Sequence, residues 1–232
     1  MSDISQGRSP NATARFAGLL YVLLTPLGIL GIMYVPSALV VPGDILVSIA
    51  NIEASELLFR TSIAVALLVQ LVHIYLVILL YKILRPVNEA IAQIMLLLVM
   101  VGVPIAMLNE LNHGAVLLVL GMENGSIEMV SVFLDLHAYG IQVVGVFWGL
   151  WLFPFGYLVF KSGFLPKLIG ILLMIGCFGY VADAFIYILN PNFGISFAEY
   201  LFVGELVIAL WLLIKGVDVA KWGKLNQELA QE

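Results

Sequence analysis

Six long apolar segments, separated by short polar stretches, dominate the pattern of hydrophobic and polar positions along the chain. Each has about 20 residues or more, the length that an α-helix needs to cross the hydrocarbon core of a membrane. The pattern therefore predicts an all-α polytopic membrane protein, a bundle of six transmembrane helices. The predicted spans cover residues 14–35, 54–84, 88–120, 130–161, 165–189 and 198–222.

The residues outside these spans are assigned to two tails and one interfacial helix. Residues 1–13 and 223–232 are predicted to be cytoplasmic tails, and residues 14–222 a single transmembrane domain. Between spans 1 and 2, a Pro-Gly-Asp sequence precedes a half-polar run. This order is typical of a short helix that is capped by Asp44 and lies in the membrane interface.

The composition changes this interpretation little but excludes several functions. Hydrophobic residues make up 62% of the chain and charged residues 11%, whereas soluble domains carry about 25% charged residues. The net charge of −5 offers no basic face for nucleic acid, so the lipid bilayer is the expected partner. The sole cysteine, Cys177, excludes an internal disulfide and a CxxC-type metal or redox site.

The basic residues predict the orientation of the bundle. Nine of the ten Lys and Arg residues fall in the N-terminal segment, between spans 2 and 3, between spans 4 and 5, or at the end of span 6. All these segments lie on one side of a six-span bundle, and only Arg60 lies on the other. Cytoplasmic loops carry an excess of Lys and Arg, so both termini are predicted to be cytoplasmic. The expected location is the cytoplasmic (inner) membrane of a bacterium.

Acidic residues are concentrated on the opposite, outer side. At 1.5 Å per residue, Glu205 lies about 15 Å from Lys215, near the midplane, and Asp183 lies about 24 Å from Lys167. An ionised group at the bilayer centre costs about 2.5–3.5 kcal/mol, so these two acids must be protonated, paired or hydrated. One arginine cannot neutralise the ten acids at or above the midplane: Asp44, Glu53, Glu56, Glu110, Glu123, Glu128, Asp135, Asp183, Glu199 and Glu205.

This surplus of negative charge predicts an outward-opening pocket of acidic and histidine side chains. The pocket is expected to bind or translocate a cation, a proton or a small cationic or amphipathic molecule. The proposed residues are the deep acceptors or proton carriers Glu205 and Asp183, the mouth residues Glu110, Asp135 and His137, and Arg60, which would orient one carboxylate.

Two interpretations are open for the sequence "ELNH" at 110–113: an outer helix end that is solvated at the headgroups, or part of a metal site. Glu110 and His113 are three apart and therefore share one face of a helix. Glu-x-x-His is also the spacing with which helical bundles hold di-metal centres, although this chain has one such motif. With His137 as a further ligand, the alternative function is a metal-dependent, hydrolase-like intramembrane enzyme in which metal-bound water is the nucleophile. A third hypothesis is a non-catalytic membrane partner or sensor whose acids are structural.

In "FLDLHAYG", at 133–140, Asp135 and His137 are two residues apart. Two positions correspond to about 200° around a helix, so the two side chains are predicted to point to different neighbours. His137 and Asp135 therefore do not act as one pair in a regular helix.

Several motifs together resemble a known family of bacterial integral membrane proteins, domain of unknown function 4386. The resemblance runs from about residue 14 to 218. It implies a cytoplasmic-membrane protein without an assigned activity, and it supplies no catalytic residues. It rests on "VPGDI", "NIEASELLFR", "LLYKILRPVN", "FLDLHAYG", "YLVFKSGFLPKLIGILL", "GYVAD" and "GELVIALWLLIKGV".

Overall fold

The computed structural model describes residues 9–190 and 193–229, and this part of the chain is helical almost throughout, without strands. Its first half comprises α1 (Pro10–Gly28), a π-helical turn (Ile29–Tyr34), α2 (Val35–Leu39), α3 (Ile45–Ala54), α4 (Glu56–Leu84) and α5 (Glu89–Leu120). Its second half comprises α6 (Ile127–Leu150), α7 (Leu152–Lys161), α8 (Lys167–Leu189), α9 (Ala198–Leu201), α10 (Val203–Ile214) and α11 (Val219–Leu229).

The helices confirm the multi-pass membrane character that the apolar pattern predicts. By length and composition, five described segments could cross a membrane, and a sixth is obtained if one bent helix pair counts as a span. The five are Pro10–Leu39, Glu56–Leu84, Glu89–Leu120, Ile127–Lys161 and Lys167–Leu189, and the bent pair is Ala198–Ile214 with Val219–Glu228.

The bent pair differs from the continuous helix predicted over residues 198–222. The two helices meet at 99°, and the break contains Gly216 with φ of +69°. A left-handed conformation of this kind ends helices and favours glycine. The side chain of Asn11 accepts a hydrogen bond from Val217 N at 3.1 Å, and Trp222 Nε1 donates one to Ile83 O at 2.9 Å. These bonds attach the turn and α11 to the beginning of α1 and the end of α4.

Polar side chains cap several helices where the connecting segments end. The carboxylate of Asp44 accepts a hydrogen bond from Val47 N, so α3 begins at the predicted cap. Asn88 and Ser126 cap α5 and α6 in the same way. Such caps satisfy backbone N–H groups that have no partner within the helix.

Two clusters of apolar side chains hold the bundle together. The larger lies towards the end that carries Lys82 and Lys161, called here the basic end. The smaller lies towards the end that carries Glu53 and Glu123, called here the acidic end, and consists of Val35, Leu39, Ile52, Phe59, Val116, Val119, Val130 and Leu134. Along α5, the larger cluster ends at Val103 and the smaller begins at Val116. The intervening turns carry the polar residues of the candidate site.

Candidate metal centre

Three buried side chains between the two apolar clusters form the candidate centre: Glu110, His113 and His137. His137 Nε2 lies 3.1 Å from Glu110 Oε1, and His113 Nδ1 lies 3.4 Å from Glu110 Oε2. The two imidazole rings are stacked, with their centroids 3.4 Å apart and their planes inclined by 19°. One carboxylate is therefore shared by two histidines.

The local sequence explains how α5 supplies two of these residues. Glu110 and His113 are three residues apart, so they project from the same face of the helix. Phe59, at the beginning of α4, packs its ring against His113 with a centroid distance of 4.8 Å. The His113 ring is thus held between Phe59 and His137, on the side of the acidic-end cluster.

The contact of α5 with α6 determines which residue faces Glu110. Asn109 Nδ2 donates a hydrogen bond to the backbone carbonyl of His137 at 3.0 Å. Gly140, one turn further along α6, lies against the Asn109 side chain, and a Cβ atom at this position would overlap it. Asn112 Nδ2 in turn donates to the Asn109 side-chain oxygen at 3.1 Å. These contacts fix the register that brings His137 opposite Glu110.

One nitrogen in the cluster lacks a hydrogen bond. Among the described residues, the buried side-chain atoms without a hydrogen-bond partner are His113 Nδ1 and Gln70 Oε1. The 3.4 Å separation between His113 Nδ1 and Glu110 is an ion-pair distance without hydrogen-bond geometry. Because buried polar atoms are normally bonded, a metal ion that bound both this nitrogen and Glu110 would satisfy it.

The three side chains are a suitable set of metal ligands. Their ligand atoms all lie within 4.8 Å of one another. Tetrahedral zinc with ligands at 2.0–2.1 Å holds them roughly 3.3 Å apart, so binding requires an approach of about 1–1.5 Å. Two imidazoles and one carboxylate suit zinc, iron or another transition metal, whereas magnesium and calcium prefer oxygen ligands alone. Three protein ligands also leave coordination positions for water or a substrate.

A second carboxylate, Glu205 on α10, has entirely different neighbours. Tyr21 Oη on α1 donates to Glu205 Oε2 at 2.8 Å, and Tyr180 Oη on α8 donates to Glu205 Oε1 at 2.9 Å. The Tyr21 ring lies 6.1 Å from that of Trp151 and belongs to the larger apolar cluster. Each oxygen of this carboxylate is therefore matched with one phenol hydroxyl from a different helix.

Asp183, the other deep acid of the sequence analysis, binds the backbone. Its carboxylate accepts hydrogen bonds from Phe197 N at 2.7 Å, Ala198 N at 2.8 Å and Ser196 Oγ at 2.8 Å. These groups precede and begin α9. Asp183 thus attaches the connection between α8 and α10 to the side of α8.

The remaining candidates lie outside these groups. Asp135 is exposed, while His137 on the same helix is buried, as their spacing predicts. Arg60 pairs with Glu56 on its own helix, with Nε 2.6 Å from Oε1, and both side chains are exposed. The structure therefore brings together Glu110, His113 and His137, and it leaves Glu205, Asp183, Asp135 and Arg60 in four other environments.

Cavities at the acidic end are lined by acidic residues. One, of about 170 Å³, is lined by Glu53, Glu56 and Arg60 among apolar neighbours. A second, of about 250 Å³, is lined by Glu53 and Glu123. The acidic-end cluster, with Phe59 at its base, separates this region from the three ligands.

Sequence reasoning missed the residues that orient the charged groups. Tyr21 and Tyr180 make the hydrogen bonds described for the Glu205 carboxylate, and Asn109 fixes His137. A polar side chain within an apolar span was the available signal for each of them. Their partners depend on which helices are adjacent, and the spacing along one helix does not contain that information.

Comparison with known proteins gives a family without an assigned activity. A family model described as "Domain of unknown function (DUF4386)" matches residues 16–216. A protein from Archaeoglobus fulgidus described as uncharacterized is 40% identical over 84 residues, which are 35% of this chain and 51% of that relative. The match therefore spans about half of the relative's length. No solved structure matches the chain.

Proposed function

This chain belongs to the domain of unknown function family DUF4386, and we propose from the geometry of its own side chains that it binds a divalent transition-metal ion at Glu110, His113 and His137. The observation that carries the proposal is the convergence of three buried ligand atoms from two helices within 4.8 Å. The pairing of two imidazoles with one carboxylate supports a cation, because a carboxylate can supply negative charge and each imidazole can supply a nitrogen lone pair.

The Nδ1 atom of His113 has no hydrogen bond, and this supports a metal in preference to a purely structural cluster. In a structural cluster, buried donors and acceptors would be satisfied by one another. Here a metal ion between the rings and the carboxylate would engage all three side chains at once. The imidazole nitrogens make zinc, iron(II), cobalt(II) or nickel(II) the fitting class of ion.

The membrane arrangement that accompanies this function is a six-span bundle with both termini in the cytoplasm and α3 in the outer interface. The sixth crossing is then the first part of the bent pair, Ala198–Ile214, and it ends before the bend to α11. Residues 14–222 form one domain. The distribution of Lys and Arg supports this orientation in a cytoplasmic membrane. The metal centre then lies in the outer half, below the acid-lined cavities, which would attract cations. Labelling of single cysteines introduced at the exposed positions Glu123 and Lys161, in a chain that carries Cys177→Ser, tests it, since only the position of Glu123 should react from outside intact cells.

Metal analysis of the full chain tests the function directly. Protein purified in detergent without chelators is expected to contain about one transition-metal ion per chain, and the apo protein to regain it from micromolar Zn²⁺ in titration calorimetry. A chain that neither co-purifies with such an ion nor binds Zn²⁺, Co²⁺ or Ni²⁺ at micromolar concentration contradicts the proposal.

A second candidate function, metal-dependent hydrolysis, is favoured by the number of ligands. Three protein ligands are typical of catalytic zinc sites, where the fourth position holds the water that becomes the nucleophile. Azide added to the Co²⁺-loaded protein should change the visible absorption of the metal if such a position is open. An unchanged spectrum at saturating azide would show a closed coordination sphere and exclude this candidate.

A further inference from the structure

The hydrogen bonds of Glu205 join three helices that come from distant parts of the chain. Tyr21 on α1 and Tyr180 on α8 each direct a hydroxyl at one oxygen of this carboxylate, at 2.8 and 2.9 Å. Neither Lys nor Arg takes part in the described contacts of Glu205. Its charge, when present, is thus stabilised by hydroxyl groups alone.

The kind of partner decides whether a carboxyl group can change its protonation state in place. A backbone N–H can only donate, so Asp183, which faces the N–H groups of Phe197 and Ala198, must keep acceptor oxygens towards both. A hydroxyl can rotate and either donate or accept. Glu205 can therefore take up a proton while one tyrosine turns from donor to acceptor, so the carboxyl group keeps a hydrogen bond to both tyrosines.

The surroundings add few other groups that could take this proton. On α1 the facing titratable group is Tyr21, and on α8 the nearest are Tyr180, Asp183 and the buried Cys177. On α4, His73 lies against Trp151, whose ring also contacts Tyr21. Asp183 is already engaged by the backbone, and tyrosine and cysteine titrate well above neutral pH in water. Glu205 and His73 are the remaining groups.

We propose that Glu205, with Tyr21 and Tyr180, forms a reversible proton-binding site that is separate from the metal centre. In the binding step, an O–H bond of a hydronium ion in bulk water breaks, and its proton forms a new O–H bond with one oxygen of Glu205. One tyrosine hydroxyl then rotates to accept a hydrogen bond from this new O–H group. Release returns the same proton to water. The proposal does not rest on the metal function, because the two sites share no residue.

Infrared spectroscopy of the chain in lipid nanodiscs tests the site as a function of pH. A protonated carboxyl group has a C=O stretching band that is separate from those of carboxylate and amide groups. The exposed acids of the chain also acquire such a band at low pH, so the signal of the site is one component of it at its own frequency. In the wild-type chain this component is expected to grow as the pH is lowered. Glu205→Gln should lose it, and Tyr21→Phe and Tyr180→Phe should each shift its frequency because one hydrogen bond to the group is removed.

Two further variants make the assignment specific. Tyr187→Phe removes another hydroxyl from α8, on a ring that packs against Tyr139, and should leave the band unchanged. Glu110→Gln identifies any band that arises at the metal centre. The proposal is overturned if the wild-type chain lacks this component of the band, if the component is constant with pH, or if Glu205→Gln retains it. If Glu205→Gln does not fold, a band that both Tyr→Phe variants leave unshifted overturns it equally.

Discussion

Glu110 is buried and Glu205 is half-buried in the helical bundle, and the groups around them differ in one chemical respect. Glu110 faces the ring nitrogens of His113 and His137. Glu205 faces the hydroxyls of Tyr21 and Tyr180. Each carboxylate thus has two aromatic partners, whose polar atoms are nitrogens at Glu110 and oxygens at Glu205.

This difference indicates that the side chains next to each glutamate, rather than the glutamate itself, determine which ligand the site binds. A neutral imidazole has a nitrogen lone pair that a transition metal binds well. A phenol hydroxyl binds such metals poorly while it remains protonated, but it can donate or accept a hydrogen bond. The same glutamate side chain is therefore suited to a metal at one site and to a proton at the other.

The largest expected effect separates the two sites by metal affinity. His137→Ala removes one of three ligands, and we expect the affinity for Zn²⁺ to fall about 100-fold or more, because even residues that support ligands change affinity by about 10–100-fold. Titration calorimetry of the apo chain measures it. The matched control is His73→Ala, which deletes a buried histidine outside the cluster and should leave the affinity unchanged. Equal losses in both variants would mean that the effect is structural.

The next prediction compares Asp183, whose carboxylate binds backbone N–H groups, with Glu205, whose carboxylate binds tyrosine hydroxyls. In Asp183→Asn, an NH₂ group replaces an oxygen that faces N–H donors, and one of these donors loses its acceptor. We expect the free energy of unfolding in detergent to fall by about 1–3 kcal/mol. Glu205→Gln should lose about 1 kcal/mol or less, because its NH₂ group can donate to a tyrosine hydroxyl. A larger loss for Glu205→Gln than for Asp183→Asn would contradict the distinction between the two acids.

A smaller effect concerns the register that orients His137. In Gly140→Ala the new methyl group overlaps the Asn109 side chain, which must move away from its hydrogen bond to the His137 carbonyl. We expect Zn²⁺ affinity to fall about 10-fold, the lower end of the range for residues that orient ligands. Gly145→Ala is the control, because a Cβ atom there meets no neighbour within 4 Å. Both changes raise helix propensity equally, so a difference between them reports the contact with Asn109.

The smallest effect is expected at Arg60. Its exposed ion pair with Glu56 contributes about 0–1 kcal/mol to stability, as surface pairs generally do. Arg60→Ala should therefore change neither Zn²⁺ affinity nor the infrared band of Glu205. A clear loss of metal binding in this variant would restore the role of orienting a site carboxylate that the charge pattern suggested.

The membrane character and most helix boundaries were predictable from the sequence, because they depend on local runs of apolar residues. The start of α3 at Asp44 follows equally from a local cap. The break after Ile214 was not predicted, since the apolar character continues through Val217 and Val219. Its cause is the left-handed Gly216 together with the bond from Val217 to Asn11, which lies 206 residues away.

The candidate site was predictable only within one helix. The spacing of Glu110 and His113 indicates that they share a face, and the spacing of Asp135 and His137 indicates that they do not. That His137 faces Glu110 depends on the packing of Asn109 against Gly140, which spacing along one helix does not contain. The assignment of these residues to metal binding stays a prediction until the ion is measured.

The bond between Tyr21 and Glu205 has a consequence for how the protein is assembled in its membrane. It joins residues 184 positions apart, and α1 is synthesised before α10. Until α10 has been synthesised, α1 lacks the helix that packs against this side, and the Tyr21 hydroxyl lacks its acceptor. The arrival of α10 closes the bundle into a ring, so insertion of the early spans and completion of the fold are separate events. A chain that ends before Glu205 can therefore be inserted in full and still remain open along its first helix.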